Sequence, residues 1–166
     1  MIIKTKDFVL RPPKKEDVNS LWENYNDSDV ARNMVTMETE KEFKKEFLEL
    51  LKKKDKTSDR FVIVIGGNAV GKIALREIVP KLKGTVSSWI GKNYRSKGIM
   101  TKANILACDY WFDKYGIRRI EARTREYNKA AQRSLEKSGF KLEGIMRKNV
   151  LKNGKYFNDY LYARVR

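Results

Sequence analysis

From Ile99 the chain reads as a helix with Met100, Ala103, Leu106, Ala107, Tyr110 and Trp111 along one face, and Ile105, Cys108 and Phe112 on an adjoining one. A helix that is apolar around most of its circumference is buried on most sides. Gly116 marks its end, and the flanking segments have strand composition, Thr85 to Gly91 before it and Ile117 to Arg125 after it. The segment Tyr94 to Thr101, Y-R-S-K-G-I-M-T, lies between the first of these strands and the helix. Such a loop can turn the N–H groups of Arg95, Ser96, Lys97 and Gly98 toward an anion. The helix adds the positive end of its dipole at the same point, and Gly98 lets the backbone approach closely. The loop therefore reads as a phosphate-binding device.

The remaining segments complete an α/β pattern. Phe8 to Pro12 reads as a strand ended by Pro12-Pro13, and Lys14 to Asn26 as a helix with Val18, Leu21, Trp22 and Tyr25 on one face. A second amphipathic helix is expected from Thr39 to Lys54, with Phe43, Phe47, Leu50 and Leu51 as its apolar side. Arg60 to Ile65 and Ala69 to Ile78 flank Gly66-Gly67-Asn68 as a hairpin. Pro80 to Gly84 makes the turn into Thr85 to Gly91. Asn128 begins a short helix that stops at Ser138-Gly139. Gly139 to Leu151 and Tyr156 to Arg166 are closing strands joined by Lys152-Asn153-Gly154-Lys155. The order predicts one domain, residues 1–166, an α/β sandwich around a mixed sheet.

Composition narrows the chemistry. At 166 residues and 41% hydrophobic content the chain fits one core. No apolar run approaches the ~20 residues of a membrane span and the start lacks a secretory signal, so a cytoplasmic protein is expected. A single cysteine and no histidine leave neither a thiolate-rich metal site nor an imidazole base; no metal is expected. The net charge is +16, and residues 51–166 hold 28 Lys and Arg against 10 Asp and Glu, whereas residues 1–50 hold 9 against 11. The excess lies around the phosphate loop, where it suits an anionic ligand and an acidic macromolecular partner.

Downstream, Asn128 to Gly144 reads N-K-A-A-Q-R-S-L-E-K-S-G-F-K-L-E-G. Together with the loop, this resembles the GCN5-related N-acetyltransferases (GNAT), which transfer the acetyl group of acetyl-CoA to an amine. The resemblance covers nearly the whole chain and implies a mixed sheet of about seven strands flanked by about four helices. Arg95 and Gly98 match the family's loop of Arg/Gln-x-x-Gly-x-Gly/Ala, and Met100 stands where its last small residue would be. Asn128, Glu136, Lys137, Gly139, Phe140, Glu143, Gly144 and the tail Asn153 to Arg164 resemble the RimJ/RimL branch, which acetylates the N-terminal amine of ribosomal proteins.

The resemblance implies a cofactor site of Arg95, Ser96, Lys97, Gly98, Ile99, Met100 and Thr101 for the pyrophosphate of acetyl-CoA. A backbone N–H near Trp89 or Ile90 would meet the thioester oxygen, where two parallel strands splay apart. Asn128 would bind the pantetheine arm or an ordered water, and Lys137 would lie near the CoA. Asn128 also reads as a helix N-cap, and the two roles are compatible. Ala131 and Leu135 stand where relatives carry Ser and Tyr for the departing thiolate, which leaves Ser134 or a water held by Asn128 as the acid. Relatives often place a Glu base where this chain has Thr85. The carboxylates that remain are Glu77, Glu121, Glu143 and Asp159; Glu121 alternates with Arg119 and Arg123 and reads as a structural ion pair. An α-amine with a pKa near ~8 also permits a water relay. Cys108 on a buried helix reads as inert packing.

Three functions follow. The first is acetylation of a protein N-terminus by direct attack in a ternary complex, the acceptor being an acidic or ribosomal protein. The second is acetylation of a polyamine or small amine, which needs a carboxylate-lined pocket of the kind Asp29, Glu38 or Glu40 could supply. The third is a non-enzymatic basic module that binds ribosomes or nucleic acid; it ranks last because Trp22, Phe43, Trp111 and Phe112 fall at core spacing instead of alternating with exposed cations. Nucleic acid is not expected as a substrate, nor a membrane as a partner, and self-association is left open.

Overall fold

A computed structural model describes residues 1–33, 39–53 and 55–166. Its strands are β1 (Ile3–Lys4), β2 (Val9–Arg11), β3 (Asp59–Ile65), β4 (Asn68–Val79), β5 (Lys83–Ile90), β6 (Arg119–Arg125), β7 (Lys141–Lys152) and β8 (Lys155–Val165). They form one eight-stranded sheet in the order β1-β2-β3-β4-β5-β6-β8-β7. Every neighbouring pair is antiparallel except β5 with β6. The helices among the described residues are α1 (Val18–Tyr25), α2 (Ser28–Asn33), α3 (Glu40–Lys52), α4 (Ile99–Tyr115) and α5 (Lys129–Lys137). None of them is long and apolar enough to cross a membrane.

Two cores separate the layers. The larger packs Ala103, Ala107, Cys108, Trp111 and Phe112 of α4 against Ile73, Leu75, Val86, Ile120 and Tyr162 of the sheet. Small alanines at one-turn spacing let α4 sit close to the strands. Gly116 ends α4 in the left-handed conformation, φ +60°, as its sequence position predicts. The second core, on the other face, joins Leu21 and Tyr25 of α1 and Phe43 and Phe47 of α3 to Val62 and Ala69. α1 and α3 cover this face over β3, β4 and part of β5.

Several boundaries differ from the sequence reading. β1 was not expected, and at two residues it carries no periodicity. The first helix is preceded by a 3-10 turn at Lys15–Asp17, where Asp17 is held bidentately by Arg11 at 2.6 and 2.7 Å. α2 was also missed; six residues are too few for an apolar repeat, and the Asp27 carboxylate fixes its start by accepting from the N–H of Asp29 and Val30 at 2.8 and 3.1 Å. Thr39 caps α3 in a reciprocal box with Glu42. That helix ends at Lys52, and its expected last residue, Lys54, lies outside the described residues. The Asn153-Gly154 turn has φ of +51° and +71°, the signature of the tight hairpin its sequence predicts.

Candidate active site

β5 and β6 pair only from Lys83 with Arg119 to Val86 with Ala122. Beyond that point Ser87 to Ile90 remain bonded to β4, and Arg123 to Arg125 to β8. The sheet therefore splits down its middle, leaving backbone donors and acceptors unpaired on both lips. A wedge of this kind accepts an extended ligand that supplies the missing partners. Trp89 and Ile90 lie on the β5 lip, and Asn128 follows the end of the β6 lip.

The β5 lip leads into the phosphate loop. Ser96 and Gly98 are both left-handed, at φ +60° and +72°, an alternation that gathers successive N–H groups into a concave nest. The first internal bond of α4 runs from Lys102 N–H to Gly98 carbonyl at 3.0 Å, so the N–H groups of Ile99, Met100 and Thr101 have no partner within the helix. A Cβ on Gly98 would meet nothing within 4 Å: the nest opens to solvent. The Ile99 side chain is buried in the core and Met100 packs against that core.

The structure places Arg95 in an unforeseen way. Its guanidinium turns to Asp27 at 2.6 Å and Asp29 at 2.8 Å, while Nε donates to the Ile90 carbonyl at 3.2 Å. The side chain thus fastens the loop to α2, and its backbone alone faces the nest. Lys97 is the exposed cation of the loop, with Nζ 5.9 Å from the Tyr94 ring. At the other end of α2, the Arg32 carbonyl accepts from Tyr127 Oη at 2.8 Å and Lys152 Nζ at 3.1 Å. The six-residue helix ties the β5 side of the split to the β6 side.

On the β6 side, Asn128 Oδ1 caps α5 through the Ala131 N–H at 3.1 Å, so the N-cap reading holds. Ser134 Oγ lies 3.1 Å from Thr101 Oγ1, and Ser138 Oγ donates to the Ser134 and Thr101 carbonyls at 2.7 and 3.2 Å. These bonds lock α5 to the first turn of α4. Lys137 is exposed at the last turn of α5.

The carboxylates divide sharply. Glu121 accepts from Arg119 Nε at 2.8 Å and Lys83 Nζ at 3.2 Å; the Arg119 guanidinium, with Lys83 beside it, holds its carboxyl below the usual range. Glu143 accepts from Arg119 Nη1 at 2.8 Å. Asp159, 2% exposed, is paired with Arg125 and accepts from Asn149 Nδ2 at 2.9 Å. Glu77 has no ion pair among the described residues; its Oε2 accepts from Thr85 Oγ1 at 2.8 Å. Glu77 sits at the β4 bulge between Arg76 and Val79, with φ +52°, a conformation non-glycine residues rarely adopt. It thereby brings a carboxylate to the position on β5 where Thr85 replaces the family's glutamate. Burial pushes the Cys108 thiol up to about 12, and it is inert. Sequence reasoning missed Asp27 and Thr85 as partners. The Asp27-Ser28-Asp29 string is a visible capping signal, but nothing local points it at Arg95.

A split parallel pair, a left-handed loop and a helix terminus in sequence define an acyl-CoA transferase site. Residues 7–141 match the family model described as "Acetyltransferase (GNAT) domain", and the chain belongs to that family, whose members use acetyl-CoA to acetylate amines. The chain is 33% identical over 135 residues to the probable N-acetyltransferase YjcK of Bacillus subtilis, covering 80% of this chain and 75% of that protein. It is 29% identical over 152 residues to the spermidine N(1)-acetyltransferase of Escherichia coli K12, 90% of this chain and 81% of that one. Its fold superposes with a TM-score of 0.89, at 20% identity over 100% of this chain and 99% of the other, on a Salmonella typhimurium acetyltransferase described as modifying the N-terminal serine of ribosomal protein L7/L12.

Proposed function

We propose that this N-acetyltransferase acts on a protein N-terminal α-amine, in the manner of the RimJ/RimL branch, by direct attack in a ternary complex. The observation that carries this reading is the state of the acidic groups. A polycationic acceptor needs uncompensated carboxylates along its path. Asp29 is bound to Arg95 and Glu40 to Lys44, at 2.8 and 2.6 Å. Glu38 lies outside the described residues. Glu121, Glu143 and Asp159 are each paired with arginine. Glu77 alone of the candidate carboxylates has no ion pair among the described residues, and one carboxylate suits a single α-amine better than a polycation.

Acetyl-CoA supplies the activated acetyl thioester. The nest of residues 95–98 and the first turn of α4 would hold its pyrophosphate by backbone N–H groups, with Lys97 adding charge. Gly91 N–H is bonded to the Val70 carbonyl at 2.8 Å on the β4 side. By alternation the Trp89 N–H also turns to β4 and the Ile90 N–H turns to the open lip, where it would face the carbonyl oxygen as it gains charge. Glu77, held by Thr85 and without an ion pair among the described residues, would take the proton the amine loses, directly or through water. Asn128 would hold the pantetheine arm or the water that protonates the thiolate. Ser134 is bonded to Thr101, which favours Asn128 over it as that water's anchor.

The 29% identity to a spermidine acetyltransferase keeps one alternative, a polyamine acceptor. Incubating the protein with labelled acetyl-CoA and a mixed library of N-terminal peptides and polyamines separates the two. We expect peptides to have the higher kcat/KM, falling steeply as added salt shortens the Debye length to ~8 Å near 0.15 M. Higher kcat/KM for spermidine than for every peptide overturns the reading.

A further inference from the structure

β6 presents Arg119, Glu121, Arg123 and Arg125 on the face opposite α4, since they alternate with Ile120 and Ala122 of the core that includes that helix. Arg119 is committed to Glu121 and Glu143, and Arg125 to Asp159. Arg123 between them is exposed and makes no hydrogen bond, ion pair or ring contact among the described residues. Its position is particular. Val86 and Ala122 are the last pair joining β5 to β6, so Arg123 is the first residue of the β6 lip and faces exposed Ser87 across the opening. Every other cation named on this stretch is neutralised by a carboxylate of the chain itself.

We propose that Arg123 is a specificity-determining residue that binds a carboxylate on the acceptor, so that the preferred substrates are N-termini with an acidic side chain at the second or third residue. This rests on the N-terminal reading above. The spacing comes from the strands. Trp89 and Ile90, near which the oxyanion donor is expected, lie two to three residues beyond the level of Ser87 and Arg123, or about 7–10 Å at the rise of a strand. An extended acceptor advances about 3.3–3.6 Å per residue, so with its amine at the thioester its second and third side chains pass Arg123. A planar guanidinium without an internal partner suits bidentate capture of that carboxylate. Glu121, already held by Arg119 and Lys83, leaves Arg123 for a ligand.

The test uses the full-length protein and peptides of one length starting with Ser, carrying Asp, Asn or Lys at the second or the third residue. For the wild type, kcat/KM on the better Asp peptide should exceed that on its Asn counterpart about tenfold, mostly through KM. Arg123→Gln should abolish the preference, and Arg123→Glu should reverse it in favour of Lys. Calorimetric binding of acetyl-CoA to each variant shows that it is folded. Peptides acetylated with no charge preference, or an Asp-to-Asn ratio that Arg123→Glu leaves unchanged, overturn the assignment of Arg123 and leave the N-terminal reading standing. Failure of every peptide, with spermidine accepted, overturns both.

Discussion

The two lips of the split are built on opposite plans. The β5 lip, Ser87 to Ile90, carries no ionisable group, and its backbone is pressed into place: a Cβ on Gly71 would meet the Trp89 carbonyl oxygen at 2.6 Å, and one on Gly91 would meet Asn24 Oδ1 at 2.1 Å. The β6 lip carries Arg123 and Arg125 and is fixed to β8 by the ion pair of Arg125 with Asp159. One lip offers main-chain groups held by packing, the other offers side chains held by charge. Packing fixes a backbone donor without competing for it, whereas an ion pair fixes a side chain by using it. The β5 lip is therefore suited to the reacting carbonyl and the β6 lip to recognition.

This contrast can be broken most forcefully at Asp159. Asp159→Ala leaves Arg125 and Asn149 without their buried partner and should cost about 3–5 kcal/mol of stability. Urea unfolding measures it; a loss under ~1 kcal/mol would mean that charge does not hold the β6 lip. Next is Gly98→Asp, which places an anion in the nest at a left-handed position. Acetyl-CoA affinity should fall about a hundredfold or more by calorimetry, with thermal stability followed in parallel. Unchanged affinity would remove the loop from the cofactor site.

Asn128→Ala should lower kcat about ten- to a hundredfold, more than Glu77→Gln, for which a loss under about tenfold is expected because water can relay the proton. If Glu77→Gln abolishes turnover while acetyl-CoA binding survives, Glu77 is an obligatory base. A smaller effect appears with acid. The folded carboxyls of Asp17 and Glu121 titrate below their unfolded values: burial opposes this for Asp17, and Arg11 overcomes it, while Arg119 acts for Glu121. Their contribution is present above about pH 4.5 and lost as pH falls through the depressed folded values. Chemical denaturation between pH 3 and 7 should show stability flat above about 5 and declining below. Smallest is Lys83→Met, which removes the half-exposed partner of Glu121 and should shift stability by under ~1 kcal/mol.

Much of this architecture was legible. α4 showed itself by apolar residues on nearly every side, the closing hairpin by Asn153-Gly154, and the nest by Gly98 between a strand and a helix. Those signals are local: propensity, periodicity and backbone permissiveness act over a few residues. Glu121 was also readable as an ion pair because Arg119 is two residues away on the same strand. The features that escaped are tertiary. Arg95 reaches carboxylates 66 and 68 residues away, and no spacing rule connects them. Glu77 meets Thr85 only because a bulge turns β4 at that point. α2 is too short to declare itself and exists through its cap and its neighbours.

That short helix has a thermodynamic consequence. Its first turn is held by an arginine of the cofactor loop, and its Arg32 carbonyl by a tyrosine and a lysine from the side that would meet the acceptor. Whatever factor cofactor binding imposes on affinity for the amine, the amine must impose on the cofactor, and Asp27 and Asp29 are the residues that join the cofactor loop to this helix.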